Sequence, residues 1–95
     1  MTVDGKYNVT IYVAGQEKEG IITMAAEGSV LKGVVETIGQ HFPFEDGTRE
    51  DNRFHIEVEG SGQHMTLDGE IAEDGSLSGE GSIGLFEFDF DGNRE

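Results

Sequence analysis

In Phe86-Glu87-Phe88-Asp89-Phe90-Asp91 each aromatic residue is followed by an acid. A period of two is the geometry of a strand with one face buried and the other wet. The same alternation sets Tyr7, Val9, Ile11 and Val13 on one phase of the first such run, Phe54, Ile56 and Val58 on another, and Met65, Leu67, Gly69 and Ile71 on a third. No window carries a helical stripe. The best candidate, Ile21 to Ala26, is short and bracketed by Gly20 and Gly28. The chain therefore reads as half-buried antiparallel strands.

Turn signals separate the runs at Gly15-Gln16, Glu27-Gly28-Ser29, Gly39-Gln40, Asp46-Gly47, Gly60-Ser61-Gly62, Asp74-Gly75 and Gly84. Seven turns predict eight strands. Fifteen glycines against one proline, with no collagen period, suit a protein of many tight turns. The 95 residues are expected to form one β-barrel domain over 1–95. The predicted architecture is all-β, an eight-stranded antiparallel up-and-down meander closed into a small barrel. A two-sheet β-sandwich shares the pattern and stays open as the alternative.

One hairpin predicts its own register. With Ser61-Gly62 at the centre of the turn, Gly60 pairs with Gln63, Val58 faces Met65, Ile56 faces Leu67 and Phe54 faces Gly69. The apolar residues then share one face, as a one-sided hairpin requires. The other face places Glu59 opposite His64, Glu57 opposite Thr66 and His55 opposite Asp68.

The chain also repeats itself. Leu31-x-Gly33 precedes Phe42-x-Phe44, and Leu77-x-Gly79 precedes Phe88-x-Phe90 at the same offset. A Gly-x-Arg follows each pair, at Gly47 to Arg49 and Gly92 to Arg94. Two halves of about four strands each are the natural reading.

The Gly5-x-Tyr7-x-Val9 start, the D/G-x-L-x-G units and the F-x-F-x-x-G units together resemble the small lipocalin-like, calycin-type barrels. The resemblance implies a barrel able to hold one small ligand. The sequence departs from that family in having Tyr7 where a tryptophan is usual, and in lacking a disulfide. No family site residue is carried over.

Composition excludes several functions. Twenty acids against six Lys plus Arg give a net charge of −14, which repels nucleic acid and anionic lipid. Such charge speaks to solubility and association rather than to fold. The chain has no cysteine, hence no disulfide, thiolate metal site or cysteine nucleophile. No basic and apolar leader is visible at Met1 to Lys6, and no apolar run reaches membrane length. A soluble, cytoplasmic protein is expected.

The inward phase is rich in large and very small residues. Tyr7, Met24, Phe42, Phe44, Phe54, Met65, Phe88 and Phe90 are predicted to line the interior, with Gly33, Gly69, Gly79 and Gly81 on the same phase. Large packed against small fills a dry core. The same set also suits an apolar ligand pocket.

Other constellations are weaker. His55 and His64 lie beside Glu57, Glu59 and Asp68, a set that could bind a cation or simply pair charges across strands. Asp89 to Asn93 lacks the ligands of a calcium loop. Glu45-Asp46-Gly47 and Glu50-Asp51 read as a solvated acidic loop. The sequence calls for no cofactor and no metal, and no serine has an activating histidine beside it. Leu85-Phe86 is an apolar pair at a turn and predicts an interface, a homodimer contact being one form, or a lip over the barrel mouth.

The expected function is a non-catalytic barrel binding a small apolar ligand or serving as an accessory partner domain. Two alternatives remain open at this point. One is an oligomeric interaction module. The other is a barrel-cavity isomerase or cyclase using Tyr7, Tyr12, Glu36 or His41.

Overall fold

The computed structural model describes residues 4–37, 39–60 and 62–95. Residues 1–3, Ile38 and Ser61 lie outside that description, and with them part of the leader reading and the centre of the expected Gly60-Ser61-Gly62 turn. The strands are β1 (Gly5–Val13), β2 (Gln16–Glu27), β3 (Val30–Thr37), β4 (Gln40–Glu50), β5 (Arg53–Gly60), β6 (Gln63–Ile71), β7 (Ser76–Ile83) and β8 (Phe86–Arg94). They pair in chain order and close, β8 against β1, into an antiparallel barrel. Closure leaves the sheet with no free terminal strand, which a sandwich would have kept.

Alternation is kept through the wall. Among the described residues the inward set forms one core of eighteen buried apolar side chains, including every large interior residue expected from the sequence: Tyr7, Met24, Phe42, Phe44, Phe54, Met65, Phe88 and Phe90. Ile21 to Ala26, the best helix candidate, is part of β2. The β5–β6 register is the one the sequence predicts, from Phe54 opposite Gly69 to Gly60 opposite Gln63.

Large side chains lie over glycines on the next strand. Phe44 is paired with Gly33, Phe54 with Gly69, Phe88 with Gly81 and Phe90 with Gly79. The glycine Cα leaves room for the ring, and the ring covers backbone that glycine would expose. Gly69 and Gly79 also face each other across β6 and β7. The β3–β4 and β7–β8 hairpins share these pairs, Gly33 with Phe44 and Gly79 with Phe90.

One turn falls elsewhere than expected. Asp46-Gly47 lies inside β4, which runs on to Glu50. Leu31 pairs with Gly47 and Gly33 with Phe44, so β4 carries one extra residue there as a bulge. The bulge absorbs the turn-forming Asp-Gly without reversing the chain. The reversal comes at Asp51-Asn52, where Asp51 takes a φ of 55°, a conformation that Asp and Asn tolerate better than most. The acidic loop is thus a bulged strand followed by a short turn.

The two ends of the barrel differ. At the terminal end Tyr7 is fully buried, its hydroxyl accepting from Arg94 Nη2 at 2.6 Å and Nε at 3.2 Å. The guanidinium carbon stands 5.2 Å from the Tyr7 ring centroid. Glu95 N donates to Lys6 O and Arg94 N to Gly75 O, so β8 is fastened to both its neighbours there. The far end carries the turns at Gly15, Gly39, Gly62 and Gly84, all with positive φ. Near that end lie the buried Ile11, Phe42, Val58, Met65 and Phe88.

Candidate functional site

The barrel wall is not equally laddered. Every strand junction but one is paired over six or more residues. The exception is β4–β5, paired only at Thr48–His55, Arg49–Phe54 and Glu50–Arg53. Beyond Thr48 the rest of β4 is laddered to β3 alone, and beyond His55 the rest of β5 to β6 alone. The bulge in β4 lies just where the pairing stops, and a bulge bends the strand that carries it. The result is a seam running from Thr48–His55 to the far end. Phe42, Phe44, Ile56 and Val58 stand behind it on the inward phase.

The sequence did carry a signal for this seam. Pro43, the only proline, lies exposed in the stretch of β4 that pairs with β3 but not with β5. A proline supplies no N–H to a ladder and belongs on edge strands.

The outer wall beside the seam holds the histidine cluster. His55 Nδ1 contacts the Asp68 carboxylate, and His55 Nε2 lies 2.8 Å from Glu57 Oε2. Glu57 Oε1 is 3.2 Å from His64 Nε2, and His64 Nδ1 is 3.5 Å from Glu59. Hydrogen bonds to Glu57 and then Asp68 raise the pKa of His55 above its ordinary value. The bond to His55 holds Glu57 below the usual carboxylate range. These groups are about half exposed. Among the described residues no three His, Asp or Glu side chains converge in a metal-holding arrangement. The cluster is a chain of pairs, each carboxylate set between or beside imidazoles, rather than a common centre.

Further round the same row, Asp68 faces Glu80 and Glu80 faces Asp89, which faces Tyr12. The glycines of β6 and β7 hollow the outside here into a groove of about 680 Å³, bordered by His55, Asp68, Gly69, Gly79 and Glu80. It opens to solvent, and of the core aromatics Phe54 borders it.

The polar residues expected for catalysis do not come together. Tyr7 is inside the terminal end, bound to Arg94. Tyr12 and His41 are exposed, and Glu36, cross-strand to His41, is half-buried on the outer wall. Tyr12 donates to Asp91 at 3.3 Å. Desolvation, reinforced by Asp91 and Glu17, raises its pKa. Besides Tyr7, the buried side chain with a polar group among the described residues is Thr37, whose hydroxyl donates to Glu19 O at 3.1 Å. Leu85 is fully exposed and Phe86 is 63% exposed, so this pair is not folded over the mouth as a lip.

Known structures share this architecture. A redesigned beta barrel, mFAP1, bound to DFHBI, superposes with a TM-score of 0.77 at 13% identity, covering 97% of this chain and 94% of that one. A second redesigned beta barrel, b11L5F_LGL, superposes with a TM-score of 0.65 at 15% identity, covering 98% and 91%. At such identities the likeness is one of fold. No family model matches the chain, and no curated protein matches it. Fold and wall together define a small closed antiparallel barrel with an aromatic interior and one weakly laddered side. Among the described residues no helix is long and apolar enough to cross a membrane.

Proposed function

We propose that the chain is a non-catalytic barrel that takes up a small apolar molecule through the β4–β5 seam. The observation that carries this reading is the end of strand pairing beyond Thr48–His55. An interior filled by its own side chains admits a guest only where the wall can give. At the seam β4 and β5 share no ladder pairs beyond Thr48–His55, and aromatic and branched side chains stand on the inward phase behind it. A guest entering there displaces Phe42 and Phe44 while the terminal end, fixed by Tyr7 and Arg94, stays closed. The barrel solved bound to DFHBI supports a frame of this shape holding a small ligand. Tyr7 and Tyr12 stand apart from the cross-strand Glu36–His41 pair, which weighs against the isomerase alternative.

The test is titration with Nile red, a neutral apolar dye, followed by amide shift mapping. The reading predicts saturable uptake of one dye per barrel, with shifts concentrated in residues 42–47 and 56–58. Absence of saturable uptake by the folded protein would overturn it, as would shifts confined to the terminal end.

A further inference from the structure

The seam does not account for Leu85 and Phe86. They form the tip of the β7–β8 turn, at 100% and 63% exposure, where an apolar pair is costly to leave in water. Phe86 keeps the phase of Phe88 and Phe90 but stands beyond the cover of the core. Exposed Tyr12 and half-buried Val13 and Ile83 lie at the same end. Around this tip the register sets carboxylates. Glu87 is the next residue of β8, and Asp89 pairs with Tyr12, which pairs with Glu17. On the other side Gly84 N donates to His64 O, and His64 pairs with Glu59.

The cations lie elsewhere. Lys6, Lys32, Arg49, Arg53 and Arg94 all sit near the terminal end. Lys6 is near Glu95, Lys32 near Glu27, Arg53 near Glu70, and Arg49 bonds the carbonyls of Gly28 and Asp51. Only Lys18 lies toward the far end. The apolar tip therefore has Glu59, Glu87 and Asp89 on the strands around it, and the cationic groups at this end include Lys18 and His64, the latter beside Glu59.

We propose that the Leu85–Phe86 tip, with Glu59, Glu87 and Asp89 around it, is a docking surface for a basic amphipathic polypeptide segment. Three other occupants fit less well. A small molecule gains little burial on a convex tip. An anionic membrane is repelled by the same carboxylates. A second copy would bring two such sets of carboxylates together, each on a chain of net charge −14. A lysine-flanked apolar stripe satisfies both features at once. It covers the side chains and answers the charge, and its association is electrostatically steered.

The probe is a short leucine–lysine amphipathic peptide, carrying a fluorophore and titrated with the intact protein by anisotropy. A scrambled peptide of equal composition is the control. The variant is L85S/F86S, whose fold is checked by circular dichroism. Because both positions are exposed, the barrel should persist. The surface predicts saturable binding that weakens about tenfold or more in the variant and with the scrambled peptide. It also predicts weaker binding, short of full loss, as salt rises from about 0.05 M to about 0.5 M. Three results overturn it. One is equal binding by the variant. Another is equal binding of the scrambled peptide, which marks mere charge adsorption. The third is a wild-type dimer in sedimentation that L85S/F86S abolishes, which would assign the tip to a second copy.

Discussion

Phe54 lies over Gly69 so closely that a β-carbon added to the glycine would stand 2.8 Å from the ring's Cζ atom. At Gly81 an added β-carbon would stand 2.7 Å from Phe88 Cζ and 2.1 Å from the Thr66 carbonyl oxygen. The ring could shift, but the backbone of the adjacent strand cannot without opening the ladder. Gly81→Ala is therefore expected to destabilise the barrel by about 2 kcal/mol or more. Gly39→Ala meets no atom within 4 Å but keeps a φ of +71°, so its cost is the left-handed backbone alone, about 1 kcal/mol. Urea denaturation of both variants checks the order. A Gly39 variant less stable than the Gly81 variant would contradict the packing account.

The Tyr7–Arg94 contact joins the first strand to the last. Removing the hydroxyl with Tyr7→Phe takes away the acceptor for both guanidinium nitrogens, and a loss of about 1 kcal/mol is expected. Arg94→Lys should cost a similar amount, because a lysine cannot offer the same two donors from one planar group. In a double-mutant cycle the two losses should be clearly less than additive. Additive losses would show that the contact does not fasten the barrel.

The His55–Glu57 pair gives the stability a pH signature. The folded pKa of His55 is raised, so its contribution is complete below the unfolded value, about 6.5, and is lost as pH rises through the folded value. The folded pKa of Glu57 is depressed, so its contribution is present above about 4.3 and is lost as pH falls through the folded value. Both act together in the mildly acidic range between. Repulsion among the acids also grows with pH, so the comparison with His55→Asn isolates the pair. Melting curves across pH should show a shallower alkaline decline in that variant, and identical slopes would remove the pair from the account.

Asp68, Glu80 and Asp89 stand in one cross-strand row, and like charges directly opposite destabilise a sheet. Glu80→Lys places a cation between two acids. It should stabilise the barrel by about 0.5 kcal/mol at low salt, with the gain shrinking near about 0.5 M salt. Thermal melts at both salt concentrations decide it. A neutral or harmful effect at low salt would mean the row is already relieved by solvent.

Much of this fold was legible because period-two alternation fixes which residues face inward, whatever the tertiary contacts. Pairing Phe54 with Gly69 followed from the hairpin alone. What misled was local turn chemistry. Asp46-Gly47 has the composition of a turn, yet Gly47 is a strand residue against Leu31, and the true reversal uses Asp51-Asn52 with no glycine. The interior residues were legible one by one, but the seam was not. It depends on how far two neighbouring strands stay paired, which no single strand encodes. Pro43 was its one local mark.

Uptake through the wall requires the β4–β5 seam to be the yielding side of the barrel. Amide hydrogen exchange, with and without saturating Nile red, tests this most directly. Alternate amides of residues 40–47 and 56–58, those turned toward the seam, should exchange much faster than the β7–β8 amides and slow when dye is bound. Seam amides as protected as those of β7–β8 in the free protein, or a dye that slows exchange only elsewhere, would contradict it.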